Sequence, residues 1–329
     1  MKAWFWLAAM VLAGGGMLAA SAGAQEVEIR FGTTNPPGGV QYISGEEFVN
    51  RLNEKVGDQV EAAIYGSSQL GDDTEMLQKV KLGTLEISQP STIMSTVLPE
   101  FGLFDLPYLV KDRAHMVCIS KEIIWPELAP RLEEQGYKLV GVWENGFRQI
   151  TNSVRPIDVP EDLKGIKLRT PSGVWRVKMF QAYGANPTPM EFSEVFVALQ
   201  TGVIDGQENP YANIWAAKFQ EVQTYLSETN HVFTPSFPTA SLRLFNSWPE
   251  AVQQAVVETG DEIQAWTYTE AARLDGELRQ QLIDAGMEFN EADRDAFVEA
   301  SSPVYEQFAA EVEGGQELID RALALADGC

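Results

Sequence analysis

Two arginines in this sequence lie where a strand is predicted to end, a position at which ligand sites commonly form. Arg148 follows a predicted strand in the segment Asn-Gly-Phe-Arg-Gln, and Arg169 ends the strand predicted at 166–169. In α/β sheets, ligands collect at the carboxyl ends of strands, where a guanidinium can hold a carboxylate through two parallel hydrogen bonds. For each arginine the alternative is a surface ion pair with one of the many acidic residues.

Two further side chains could complete such a site. Asn209 precedes Pro210 after a short apolar strand predicted at 203–204. Because proline biases the preceding residue towards an extended conformation, Asn209 could present its amide to a carboxylate, or could simply be a turn residue. Phe192 lies in the turn into a predicted helix, where it could pack on a ligand or against that helix.

The sequence contains no HExxH, GxSxG, GxGxxG or Walker motif, and its two histidines are His115 and His231. These motifs carry much of metal, nucleophilic and nucleotide chemistry. We expect both histidines to be surface or packing residues. The sequence therefore predicts a binding protein without a metal or other cofactor. The alternative from another class is a hydrolase that uses paired carboxylates.

Acidic residues outnumber basic ones 47 to 24, and the net charge is −23. Such a surface repels nucleic acid and anionic membranes, so neither is an expected partner. It also repels an anionic ligand at long range. A site for an anion must therefore be a local concentration of arginine or backbone N–H groups.

Residues 1–24 have the pattern of a cleaved signal peptide, with one lysine, an apolar run and Ala-Gly-Ala at the end. We expect secretion to the periplasm as a monomer. Cys118 and Cys329 could form a bridge, but a cysteine at a chain terminus is more often free. The sequence therefore predicts two free thiols.

Strands and helices are predicted to alternate, which is typical of an α/β fold. The predicted strands are 27–32, 60–65, 137–143 and 166–169, and helices are expected through Phe48 to Val56, after the cap Asp72, at 126–136, 174–183 and 192–201. A pattern from 249 to about 285 predicts a helix ~50 Å long that touches two domains. We expect residues 25–146 with 235–274 to form domain I, and residues 147–234 with 275–329 to form domain II.

Five segments in order, 67–73, 145–149, 165–169, 187–194 and 198–210, resemble the solute receptors of tripartite ATP-independent periplasmic (TRAP) transporters. The resemblance implies a two-domain periplasmic binding protein fold, a ligand cleft between the domains and a long bridging helix. It also implies a small organic acid as ligand and a two-part membrane permease as partner. Receptors for an ATP-driven importer or for signalling are the alternatives.

The resemblance also implies roles for individual residues. Arg169 matches the arginine that pairs with the ligand carboxylate, Asn209 its amide partner, Arg148 a second cation and Phe192 an aromatic that packs on the ligand. Loops of domain I would contact the rest of the ligand through Thr34, Asn35, Gln69, Gln89, Ser91 and Thr92. Three aromatic side chains could form walls of the cleft or belong to the core: Trp175, Trp215 and Phe237.

The identity of the ligand stays open at this point. Pro90 stands near where the sialic-acid receptors of the family carry an acidic side chain, so a nine-carbon sugar acid is not expected. Sugar acids, four-carbon dicarboxylates, 2-oxo acids and aromatic carboxylates all satisfy one arginine and one asparagine.

Overall fold

The computed structural model describes residues 27–329, so the predicted signal peptide at 1–24 lies outside the described residues. The strands are β1 (Val27–Gly32), β2 (Val60–Tyr65), β3 (Ile87–Ser88), β4 (Tyr137–Leu139), β5 (Trp143–Phe147), β6 (Gln149–Asn152), β7 (Lys167–Thr170), β8 (Asn186–Pro189), β9 (Gly206–Asn209), β10 (Tyr225–Glu228), β11 (Phe233–Ser236), β12 (Thr239–Ser241) and β13 (Glu288–Glu291).

The helices are α1 (Val40–Val56), α2 (Asp73–Leu82), α3 (Arg113–Ile119), α4 (Ala129–Glu134), α5 (Val174–Ala182), α6 (Val195–Gln200), α7 (Tyr211–Ala216), α8 (Leu242–Phe245), α9 (Glu250–Asp284), α10 (Arg294–Ala300), α11 (Ser302–Glu311) and α12 (Gly315–Ala324). Short 3-10 turns occupy Thr92–Thr96, Pro99–Asp105, Pro160–Leu163, Phe192–Glu194 and Phe219–Glu221. Strands and helices thus alternate as predicted.

Two sheets define two lobes. The first lobe is built on a sheet of order β2-β1-β3-β12-β4, and the second lobe on a sheet of order β13-β10-β6-β9-β7-β8. In the first sheet β1 is parallel to β2 and β3, and in the second β7 is parallel to β8 and β9. The antiparallel pair β5 and β11 lies between them in the chain. Each sheet takes its strands from one of the two predicted domains, although the domain boundaries remain a prediction.

The first lobe folds as its sequence pattern predicts. In β1, Ile29 and Phe31 are fully buried, and α1 packs Phe48 beside them. The ring of Phe31 stacks on Trp143 at 6.0 Å between centroids. At the start of α2 the carboxylate of Asp72 accepts a hydrogen bond from the Glu75 N–H at 3.1 Å, which confirms the predicted cap.

Helix α9 contacts both lobes, as predicted. Its first half buries Val252 and Ile263 in the core of the first lobe, and its second half buries Leu278 and Leu282 in a core of the second lobe. Its 35 residues correspond to about 50 Å of helix. None of the helices between residues 27 and 329 combines the length and apolarity that crossing a membrane requires.

Three local predictions are wrong in detail. Pro126 does not begin a helix, because it lies inside a wide helical turn at Ser120–Leu128. In this turn the Ala129 N–H bonds to the carbonyl of Ile124, five residues earlier, and a proline without an N–H fits such spacing. The predicted strand at 137–143 is divided between β4 and β5, because β4 pairs with β12 whereas β5 pairs with β11.

The strand predicted at 203–204 is also absent from the described structure. The N–H of Val203 bonds to the carbonyl of Ala198, which completes the end of α6, and the Val203 side chain is 59% exposed. The strand begins three residues later, at Gly206. Asn209 therefore ends a strand rather than following one at a distance.

The prediction of free cysteines is wrong. Cys118, in α3, and Cys329 form a disulfide with their Cα atoms 5.6 Å apart and 211 residues apart in sequence. The bridge depends on tertiary packing, which the sequence pattern does not show. Helix α12 packs near α3, where His115 Nε2 lies 2.7 Å from the carbonyl of Ala322, so the last residues are held beside Cys118.

The two lobes touch across the cleft. The backbone N–H of Val40, at the start of α1, donates to Oδ1 of Asn213 in α7 at 3.2 Å. Val40 also packs in the apolar core of the second lobe with Tyr211 and Ile214. The structure therefore shows the closed arrangement of the lobes.

Candidate functional site

A cavity lies between the lobes and encloses about 500 Å³ of empty space, part of it open to solvent. Both lobes contribute to its lining. The first lobe and strand β5 provide Thr34, Asn35, Gln41, Asp73, Ser91, Thr92, Ile93 and Asn145. The second lobe provides Arg148, Arg169, Pro171, Ser172, Glu191, Phe192, Asn209 and Asn213.

Arg169 is a buried cation without an acidic partner. Its side chain extends from β7 and is 4% exposed. Its Nε and Nη2 donate to the Met190 carbonyl at 2.9 and 2.7 Å. The part of the chain that the structure describes places no carboxylate within ion-pair distance of it. The donors on the Nη1 side of the guanidinium are therefore left for an anion in the cavity.

Burial lowers the pKa of Arg169 to about 10, and the nearby positive charge of Arg148 acts in the same direction while Glu208 opposes it. The guanidinium is still charged at neutral pH. A buried charge without a counterion is unfavourable, so an anion that enters this cavity removes an existing penalty.

Arg148, unlike Arg169, has an acidic partner. It is buried, and it donates from Nε and Nη2 to the carboxylate of Glu208, the second of these bonds being 3.0 Å. Arg176 donates to the same carboxylate at 2.7 Å and to Asp105 at 2.8 Å. Arg148 is thus one member of a closed ionic cluster. Its ion pair with Glu208 is buried and does not lie at the surface.

The charges within this cluster are matched. Burial by itself would raise the pKa of Glu208, but the guanidinium groups of Arg148 and Arg176 hold it below its usual value. His231 lies 3.1 Å from Glu208, and burial lowers its pKa to about 4, so the imidazole is neutral. This agrees with its predicted role as a packing residue.

Asn209 links the ionic cluster to the cavity. Its Oδ1 accepts from Arg148 at 3.0 Å, and its Nδ2 donates to Gln207 at 2.5 Å. An amide nitrogen carries two hydrogens, so one remains for a ligand. Phe192 is half-buried, and the guanidinium carbon of Arg169 lies 5.8 Å from its ring centre. The four residues that the family resemblance assigns to the ligand, Arg148, Arg169, Phe192 and Asn209, therefore come together at this cavity.

The first-lobe residues are placed less uniformly. Thr34, Asn35, Ser91 and Thr92 line the cavity, as expected for residues that contact the rest of a ligand. Gln69 is exposed outside the lining. The chain turns just before Gln69, where Ser67 and Ser68 both adopt positive φ angles.

Four other predicted contacts also lie outside the lining. Gln89 is buried behind it and donates to Ser44 and Ser236 at 3.0 and 2.9 Å. Phe237 belongs to an aromatic core with Phe101, 4.7 Å between ring centres. Trp215 packs on the core of the second lobe. Trp175 likewise lies in the core, edge-on to Phe308.

Asp73 is the most informative residue that sequence reasoning missed. Its Oδ1 is shielded from solvent and has no hydrogen-bond partner in the structure. Burial and the negative charge of Glu191 together raise the pKa of Asp73 to about 7, against the effect of Arg169. The signal was the doubled acid Asp72-Asp73, since only one of the two is needed to cap α2.

The cavity residues do not form a metal site of the usual kind. Within residues 27–329 no group of three or more histidine, cysteine, aspartate or glutamate side chains is placed to hold a metal ion. The cavity can bind an anion through the guanidinium and amide donors of the second lobe, and the first lobe adds oxygen acceptors.

Known proteins share this architecture. The family model for bacterial extracellular solute-binding protein, family 7, matches residues 31–311. The 2,3-diketo-L-gulonate-binding periplasmic protein of Escherichia coli is 34% identical over 298 residues, which cover 88% of this chain and 90% of that protein.

Solved structures agree with this relationship. The sugar acid binding protein of Advenella mimigardefordensis in complex with galactonate has a TM-score of 0.88 at 29% identity, covering 92% of this chain and 98% of that chain. A TRAP periplasmic solute binding protein of Sulfurospirillum deleyianum with bound succinate has a TM-score of 0.85 at 29% identity, covering 91% and 99%. This chain belongs to the bacterial extracellular solute-binding proteins of family 7, the receptors of TRAP transporters.

Proposed function

We propose that this protein is a periplasmic receptor that encloses a small organic acid anion between its lobes and delivers it to a two-part TRAP membrane permease. The observation that carries the proposal is the buried guanidinium of Arg169, which lines the cavity and lacks an acidic partner. Family membership, the carboxylates bound by the related structures and the predicted signal peptide support it.

In this proposal Arg169 forms the principal pair with the ligand carboxylate. Strand β7 and the two bonds to the Met190 carbonyl hold the side chain in place, so little side-chain entropy is lost on binding. Closure removes water from the pair, which strengthens the interaction. Asn209 donates to the same carboxylate, and Phe192 packs on the adjoining carbons.

Arg148 has a supporting role. Because Glu208 already neutralises much of its charge, it contributes a fixed positive potential and holds Asn209 in position through the bond at 3.0 Å. Release to the permease follows when the lobes open and water returns to Arg169. A receptor of an ATP-driven importer would bind its ligand by the same mechanism, but membership of family 7 favours the TRAP permease.

Isothermal titration with the acid released from natively purified protein, identified by mass spectrometry, tests the proposal. Arg169→Ala should lower the affinity by roughly a hundredfold to several thousandfold, because the ligand anion is left unpaired in a closed site. Arg169→Lys should recover only part of the loss, since a lysine keeps the charge but not the two-pronged geometry. Arg273→Ala is the matched control, because Arg273 lies on the surface of α9 and pairs with Glu270 and Glu277.

Normal binding by Arg169→Ala would overturn the proposal. Asp73 and Glu191 are two carboxylates lining one cavity, so the bound acid is also recovered after incubation and compared with the acid supplied. Conversion of that acid would favour the hydrolase alternative, whereas recovery of the unchanged acid supports a receptor.

A further inference from the structure

We infer that Ile93 limits the length of the ligand, because its side chain closes the ligand cavity on the side of the first lobe. The inference rests on the proposed function, since it assumes that Arg169 holds the ligand carboxylate from the second lobe. It deepens that function by naming the residue that decides how long an acid the receptor accepts.

A second cavity lies in the first lobe beside the ligand cavity. It contains about 670 Å³ of empty space, part of it open to solvent. Helix α2 contributes Thr74, Leu77, Gln78 and Lys81, whose spacing places them on one face of the helix, and β4 contributes Tyr137. The ligand cavity therefore has a second space next to it.

Ile93 forms the wall between the two cavities, because it contributes to the lining of both. Neighbouring residues divide at this wall. Asp73 lines the ligand cavity and Thr74 the second cavity, and in the same way Thr92 lines the first and Thr96 the second. Ile93 is 8% exposed, so little of it faces open solvent. One isoleucine side chain thus separates the two spaces.

The turn that carries Ile93 holds the wall in place. The hydroxyl of Ser91 donates to the Pro235 carbonyl at 2.7 Å, and the hydroxyl of Thr96 donates to the Ile93 carbonyl at 2.8 Å. The N–H of Met94 donates to the Ser91 carbonyl at 3.0 Å. Because isoleucine is branched at Cβ, its χ1 angle is also restricted. The side chain therefore resists displacement by a longer ligand.

The second cavity has an apolar floor. Leu77 and Tyr137 are each 4% exposed, and the Tyr137 hydroxyl donates to the Leu77 carbonyl at 3.3 Å. Lys81 is exposed, with its Nζ 6.0 Å from the centre of the Tyr137 ring. A chain that passes the wall would bury its carbon atoms on this floor, and each buried methylene raises affinity about fourfold.

In wild type, a chain too long for the ligand cavity meets Ile93 instead. Extra carbon atoms forced into a packed interior lower affinity by about five- to a hundredfold. Truncation of Ile93 removes this clash and joins the two cavities. A larger side chain at the same position shortens the ligand cavity.

The test measures affinity against chain length by isothermal titration. The probes are three straight-chain series: 2-oxo acids from 2-oxopropanoate to 2-oxodecanoate, α,ω-dicarboxylates from succinate to decanedioate, and aldonates from D-erythronate to D-glucoheptonate. In a series that binds, wild-type affinity should fall by at least about tenfold at one step of chain length and stay low beyond it. In Ile93→Ala the fall should come at least about two carbon atoms later. In Ile93→Phe it should come earlier.

Three further variants assign the effect. Ile93→Val removes one methyl group and guards against a folding effect; it should bind the first excluded acid at least about threefold more tightly than wild type does. Val97→Ala is the matched control, because Val97 lines the second cavity but not the ligand cavity. Ile87→Ala truncates a buried isoleucine in β3 of the same lobe, outside both linings. Both controls should keep the wild-type limit.

The outcomes separate the two proposals. Equal wild-type affinity at every length, or an unchanged limit in Ile93→Ala and Ile93→Phe, would overturn the role of Ile93. A shift in Ile87→Ala as large as that in Ile93→Ala would also overturn it, because loosening of the lobe would then set the limit. Loss of binding in Arg169→Ala would leave the receptor function intact in each case. If no acid of the three series binds, or if Arg169→Ala binds as well as wild type, the proposed function itself fails.

Discussion

Asn213 joins the two lobes through Val40, because its Oδ1 accepts the Val40 N–H at 3.2 Å across the cleft. The same side chain donates from Nδ2 to Oδ1 of Asn145, in β5, at 2.8 Å. Both Val40 and Asn213 are buried. The bond therefore belongs to the closed arrangement, and opening of the cleft would expose both of its atoms to water.

We predict that Asn213→Ala shifts the protein towards the open form. The loss of one buried hydrogen bond between the lobes should weaken binding of the ligand by about three- to tenfold. The unliganded variant should be more extended than wild type in solution scattering, with unchanged circular dichroism. Asn246→Ala, at an exposed position, is the control. Wild-type affinity and scattering in Asn213→Ala would show that this bond does not hold the lobes together.

A second prediction compares how much Arg148 and Arg169 contribute to the free energy of unfolding. Arg148→Ala leaves the buried Glu208 without one of its two guanidinium partners, so the free energy of unfolding should fall by about 3 kcal/mol or more. Arg169→Ala removes a buried cation bonded only to a carbonyl, so unfolding of the unliganded protein should change little. Urea denaturation without ligand measures both. Equal losses would mean that Arg169 has an ionic role in the fold as well.

Local sequence patterns predict some features of this structure and miss others. Strands β1 and β2, the cap at Asp72 and the long helix α9 depend on neighbouring residues and on simple periodicity, so local patterns predicted them correctly. Pro126 was misinterpreted because a helix can continue past a proline where the hydrogen-bond spacing widens, and no local pattern announces that widening.

The site could be predicted only in part, for a related reason. The strand ends and the family resemblance predicted that Arg169, Asn209 and Phe192 contact the ligand, and all three line one cavity. The partner of Arg148 could not be predicted, because Glu208 is one of many acids and its choice depends on which strands are neighbours in the sheet. The environment of Asp73 depends on burial in the folded protein, which a sequence does not display.

The disulfide supplies a third prediction. Cys329→Ser should lower the free energy of unfolding by about 2 to 4 kcal/mol, because the bridge closes a loop of 211 residues in the unfolded chain. Cys118→Ser and reduced wild type should show the same loss, measured by urea denaturation. Ligand affinity should stay unchanged, since neither cysteine lines the cavity. Two reactive thiols in the unreduced, denatured protein would contradict the bridge.

The last prediction concerns pH and follows from the acids that face Asp73. Burial and the negative charges of Glu191 and Asp72 raise its pKa to about 7, and the positive charge of Arg169 and the side chain of Thr34 oppose the rise. A bound dicarboxylate adds a negative charge and should raise this pKa again, so the complex retains a proton that the free protein releases. By linkage, affinity for the dicarboxylate should be level below a pH of about 7 and fall as pH rises above it.

A monocarboxylate should behave differently, because it lacks the second negative charge that would raise the pKa of Asp73. The ratio of its affinity to that of the matched dicarboxylate should therefore grow between a pH of about 7 and about 9. The ligands themselves stay ionised there, since free carboxyl groups titrate near a pH of about 4. Titrations of D-erythronate and meso-tartrate across this range measure the ratio, and Asp73→Asn should make it independent of pH. If the ratio in Asp73→Asn rises as in wild type while Glu191→Gln abolishes the rise, the titrating acid is Glu191 and not Asp73.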